Sequence, residues 1–161
     1  METKELSLVI KMTLTAWNAQ NNYLNKLVDS LTDEQLAKEV SPGKNTGHYL
    51  YGHLIAVSDA MLPVMGFGEL IYPALQDVFI KSPDKSGQVM PTIAELKEYS
   101  NSVNAKLSAN FSAASPEEWL SRHMSVSPED FAKEPHRNKL NIVISRTQHM
   151  AYHVGQLQLL K

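Results

Sequence analysis

Apolar side chains recur along this chain at alternating steps of four and three. Between about residues 5 and 31, Ile10, Leu14, Trp17, Leu24, Val28 and Leu31 mark one stripe, interrupted only by Asn21. That period puts them on one face of a helix. Leu50, Leu54, Val57 and Met61 form a second stripe over about 45–62, with Asn45 as expected N-cap and Pro63 as the stop. Thr92-Ile93-Ala94-Glu95 has capping-box spacing and opens a third helix, whose inner face reads Leu96, Tyr99, Val103, Leu107 and Phe111 up to about residue 113. A fourth runs over about 138–160 with Leu140, Val143, Thr147, Met150, Val154 and Leu157 inward. There is no strand-like alternation, no hairpin turn and no internal repeat. The predicted fold class is all-α: four amphipathic helices, each with one stripe to bury, close most simply into a bundle.

The connections are uneven. Thr32-Asp33-Glu34-Gln35 predicts a short helical turn, and Ser41-Pro42-Gly43 ends it. Residues 63–91 are broken by Gly66, Gly68, Pro73, Pro83, Gly87 and Pro91, with one short helix expected at 74–79. So long a connection between the second and third helices points to a crossover or a functional lid. Ser115-Pro116 and Ser127-Pro128 each start a further short turn. A chain of 161 residues is the size of one ordinary domain, expected here over 1–161. Leu8, Val9, Met12 and Leu27 fall partly outside the first stripe, so self-association is expected.

Composition narrows the chemistry. The formal net charge is -2 and no run of Lys or Arg stands out, which argues against nucleic acid or an anionic membrane as partner. The start, Met1-Glu2-Thr3-Lys4-Glu5-Leu6, carries acids where a secretory signal needs basic and then apolar residues, so the expected location is cytoplasmic. There are no cysteines. That excludes disulfides, Cys-ligated zinc, iron–sulfur clusters and a cysteine nucleophile. A bound metal must then be held by His, carboxylate or water, and any thiol chemistry needs a small-molecule cosubstrate.

His149 and His153 are four apart in the last helix, roughly 6 Å between Cβ atoms, a spacing that suits one metal ion. His53 stands beside the stripe of the second helix. Histidine therefore sits at the core-side edges of two separate stripes, and bundle interiors are where facing helices assemble metal sites. The alternative is a core histidine on a backbone carbonyl and a partly solvated pair. Gly52 and Gly155 lie inside apparent helices, where glycine costs about 1 kcal/mol relative to alanine. They suggest close approach of the second and fourth helices, or else room for bulky neighbours such as Trp17 or Trp119. His48, about 140° around the helix from His53, is expected to be exposed, and His123 and His136 to lie on the surface. Arg146 precedes His149 by three and His153 by seven on the same face. It could orient an anionic substrate, but a structural ion pair is the preferred reading. Asp59 points elsewhere and Glu69 lies in the crossover, so no general base stands out.

Asn45-Thr46-Gly47-His48-Tyr49-Leu50-Tyr51-Gly52-His53-Leu54, then Met65-Gly66-Phe67-Gly68-Glu69, then His149-x-x-x-His153-Val154-Gly155-Gln156 resemble, in that order, the DinB-like (DinB/YfiT) superfamily. The resemblance implies a four-helix bundle with parallel second and third helices. It also implies a divalent metal, zinc, nickel or iron, on His53, His149 and His153. It further implies homodimers, and among members of known activity chiefly transferases and isomerases that use mycothiol, bacillithiol or glutathione-like thiols. The expected function is metal-dependent transfer of a low-molecular-weight thiol to a small electrophile. A metal-dependent hydrolase and a non-catalytic metal-binding stress-response or interaction module remain the alternatives.

Overall fold

Each of the four stripes becomes a helix in the computed structural model, which describes residues 3–161. Helix α1 (Thr3–Asp29) lies along α4 (Lys139–Leu157), while α2 (Gly47–Asp59) packs against both α3 (Ile93–Ala113) and α4. The result is an all-α four-helix bundle with a long crossover between α2 and α3. Its seam is filled by the predicted positions: Trp17, Leu24, Val28, Leu50, Leu54, Val103, Leu107, Val143, Met150 and Leu157 are all buried. Trp17 meets Phe111 edge-on at 6.4 Å between ring centroids, and Phe111 meets Trp119 at 5.3 Å. These offset contacts suit the aromatic quadrupole better than a face-to-face sandwich. Among the described residues no helix is long and apolar enough to cross a membrane.

Local chemistry sets the helix ends. Both predicted capping boxes form, at Thr32–Gln35 and Thr92–Glu95. At α2 the cap is Thr46 rather than Asn45: the Thr46 hydroxyl accepts the Tyr49 N–H at 3.2 Å. The Asn45 carbonyl is engaged instead by the Val40 N–H at 3.0 Å. Nor does α2 run on to Leu62. It ends at Asp59, and a separate turn, Met61–Met65, carries Pro63 near its start, where a missing N–H leaves no partner unsatisfied. Leu27, expected to add to the outer apolar surface of α1, is buried. It faces the core because the stripe is wider than a strict four-and-three step. Leu8, Val9 and Met12 are exposed.

The crossover is seated on the bundle, not loose above it. Asp59 is fully buried, and its two carboxylate oxygens accept the N–H groups of Ile71 and Tyr72, each at 2.9 Å. Ala74–Gln76 then continues into a π-helical turn, Asp77–Lys81. That turn drives the Phe79 ring into α2 at Gly52, where a Cβ would stand only 2.3 Å from the ring. Gly52 therefore makes room for Phe79 and not for α4. Gly155 has no atom within 4 Å of the corresponding position, so it marks no close helix approach. The expectation that these two glycines bring α2 and α4 together is wrong; bulk arriving from the crossover explains the first.

Candidate metal centre

His53 projects from the middle of α2, and His149 and His153 project from successive turns of α4. All three imidazoles are half-buried. Their ligand nitrogens converge within 4.8 Å of one another, the only such group of three among the described residues. His149 Nε2 lies 3.4 Å from His53 Nε2 and 3.1 Å from His153 Nε2. Two zinc–nitrogen bonds of about 2.0–2.1 Å at a tetrahedral angle place their nitrogens roughly 3.3 Å apart. The spacing fits one ion.

The outer nitrogens explain why the inner ones are available. The Phe79 carbonyl lies 2.9 Å from His53 Nδ1 and can only accept, so Nδ1 carries the proton and Nε2 a free lone pair. Gln156 does the same for His153: its Oε1 lies 2.7 Å from Nδ1, while its Nε2 donates to the Tyr152 hydroxyl at 3.3 Å. Both rings are fixed in the tautomer a metal requires, by the kind of outer contact that ligand histidines habitually make. His149 differs. Its Nδ1 is buried with no partner, so nothing but the other two rings engages this imidazole. Lone pairs aimed together and one ring with an unanswered nitrogen match a site built around a cation.

Electrostatics also favour the neutral form of His149 and His153. The pKa of His149 falls to about 4, first because burial disfavours the imidazolium, then through the nearby charges of His153, His53 and Arg146. His153 is lowered as well, by burial and by His53, with Gln156 opposing. A folded pKa below the unfolded value near ~6.5 means that the folded state binds fewer protons. The stability this contributes is fully present above about 6.5 and is lost as pH falls toward 4. The melting temperature of metal-free protein is therefore expected to decline across that window, with a shallower decline in His149→Gln. Identical slopes in wild type and variant would show that His149 does not drive it.

The other candidates separate. His48 is half-buried rather than exposed, its Nε2–H donating to the Pro91 carbonyl at 2.7 Å and tying the start of α2 to the end of the crossover. His123 is buried, not on the surface, and its Nδ1 accepts the Ser125 N–H at 3.2 Å. The segment around it is anchored, since Met124 N–H donates to the Val64 carbonyl at 2.8 Å and Lys139 N–H to that of Ser121 at 3.0 Å. Burial, then Arg137 and Arg122, lowers the His123 pKa. His136 is exposed. Asp59 is committed to the crossover backbone and Glu69 is exposed, so neither joins the histidines. Arg146 is half-buried and takes part in none of the five ion pairs among the described residues, contrary to the preferred reading of its sequence position. Sequence reasoning passed over Phe79 and Gln156 as supports. Gln156 had a signal, a polar side chain three residues beyond a candidate ligand; the Phe79 carbonyl, a backbone atom, had none.

Comparison with known proteins places this geometry in a family. The DinB superfamily model matches residues 16–157, most of the chain and all three histidines. The chain belongs to the DinB superfamily. Among solved structures it is similar to a conserved protein from Enterococcus faecalis, with a TM-score of 0.66 and 13% identity over 93% of each chain. At that identity the likeness carries the fold alone. Comparison with curated proteins gives no match. For a DinB superfamily member with this cluster, the chemistry in hand is metal binding: three imidazoles on two helices that could hold one divalent ion.

Proposed function

We propose that this protein is a cytoplasmic, metal-dependent transferase that joins a low-molecular-weight thiol to a small electrophile. The observation that carries the reading is the set of three converging Nε2 atoms, which no fourth His or carboxylate joins among the described residues. Three protein ligands with an open position is the arrangement of catalytic rather than structural zinc sites. A divalent ion held there would lower the pKa of a thiol at the open position, supplying a thiolate near neutral pH. The chain's own part is positional. The Phe79 carbonyl and Gln156 hold His53 and His153 in the ligand tautomer, and burial keeps His149 unprotonated. The sequence has no cysteine to compete for the open position. In the transfer, sulfur forms the new S–C bond, the leaving group departs with the electrons of its own bond, and the thiol proton goes to solvent. Thiol specificity rests on superfamily membership, since the site geometry is equally open to other small ligands.

The test incubates zinc-, nickel- or iron-loaded protein with bacillithiol, mycothiol, glutathione or coenzyme A and a generic electrophile, and follows conjugate formation. Turnover that disappears in His53→Ala is the expected result. Absence of thiol-dependent turnover with every metal and thiol would overturn the transferase reading and leave a metal-binding module.

A further inference from the structure

Arg146 is a charged side chain beside the centre that, among the described residues, no group of the bundle pairs with. It lies on α4 one turn before His149 and two turns before His153, on the same face, about 4.5 Å along the helix axis from the nearer histidine. Its side chain is half-buried, and burial lowers its pKa. It forms no ion pair and no hydrogen bond among the described residues. Removing a guanidinium from water without a partner is costly, so partly buried charges are ordinarily matched by a carboxylate. Here no carboxylate among the described residues supplies that match.

We infer that Arg146 receives a carboxylate of the small molecule that occupies the open position of the three-histidine centre. Resting on the thiol-transfer reading above, this makes the cosubstrate a carboxylate-bearing thiol and not a neutral sugar thiol. The planar fork of arginine pairs with a carboxylate through two parallel N–H···O bonds, which fixes orientation as well as charge. The sulfur end and the carboxylate end are then held separately, by histidines and arginine of one helix face. Arg146 is a binding residue in this scheme and takes no proton. Metal retention should not depend on it.

Cobalt(II)-loaded protein is titrated with 3-mercaptopropionate and with neutral 3-mercaptopropanol, reading the change in the cobalt ligand-field spectrum. Wild type should favour the carboxylate thiol by about tenfold or more, the scale of a charge-assisted bidentate pair. Arg146→Gln should bind the two alike at unchanged cobalt content. Arg146→Lys, which keeps the charge and loses the fork, should fall between and carries the test if the glutamine variant does not fold. Equal wild-type affinity for the two thiols, or a preference that survives in Arg146→Gln, overturns the assignment of Arg146 while the centre itself stands. Protein that takes up no cobalt, or whose cobalt spectrum neither thiol alters, overturns the thiol-transfer reading, and the assignment falls with it.

Discussion

His153→Ala is expected to lose its divalent metal while keeping its helical fold. Structural zinc sites with four protein ligands bind with about 10–16 kcal/mol, on the order of 3 kcal/mol per ligand, and loss of one such ligand is roughly a hundredfold in affinity. Loss at His153 also strands Gln156, whose Oε1 then has no imidazole N–H to accept. Gln156→Ala should cost less, about tenfold, because it only frees the ring to turn and to change tautomer. His136→Ala, on the exposed surface, should cost nothing. The three variants thus have a predicted order, measurable by competition against a chromophoric chelator and by elemental analysis after dialysis. Wild-type affinity in His153→Ala would remove the centre from consideration. A Gln156→Ala defect as large as that of His153→Ala would show that ring orientation, and not ligand number, controls binding.

Much of this centre was legible before any coordinates, for a specific reason. A helix turns by a fixed angle per residue, so buried stripes identify which faces meet, and residues at stripe edges meet as well. His53 beside Leu54, and His149 and His153 beside Met150 and Val154, are placed by that rule alone. The rule fails where a residue's surroundings come from outside its own helix. His123 sits in a segment with little periodicity, and backbone bonds from Met124 and Lys139 anchor that segment. Arg146 carries a charge whose partner the sequence could only presume. The break of α2 at Ala60 depends on the following turn, Met61–Met65, which accommodates Pro63 near its start. Caps and stripes are local; the orientation of the Phe79 carbonyl is tertiary. The metal centre needs both.

Gly52→Ala should be the most damaging conservative change outside the ligands, and its contrast with Gly155→Ala isolates the cause. The two positions look alike in sequence, each a glycine within two residues of a candidate ligand in a helix interior. By propensity, alanine should stabilise either one by about 1 kcal/mol. At Gly155, with nothing within 4 Å of the added carbon, that gain should be realised as a higher melting temperature. At Gly52 the added carbon would lie 2.3 Å from the Phe79 ring, which is fully buried. Overpacking of this kind costs about 1–3 kcal/mol, enough to exceed the propensity gain. The displacement also has a direction. Phe79 belongs to the π-helical turn, and its carbonyl orients His53, so a ring pushed from α2 carries that acceptor away from Nδ1. Gly52→Ala should therefore lower metal affinity about tenfold, a typical cost of losing an outer contact to a ligand histidine, as well as lowering stability. A second substitution, Phe79→Leu, makes room for the alanine and should restore both. If Gly52→Ala binds metal like wild type despite lower stability, the Phe79 carbonyl is a passive neighbour and His53 is oriented by the ion alone.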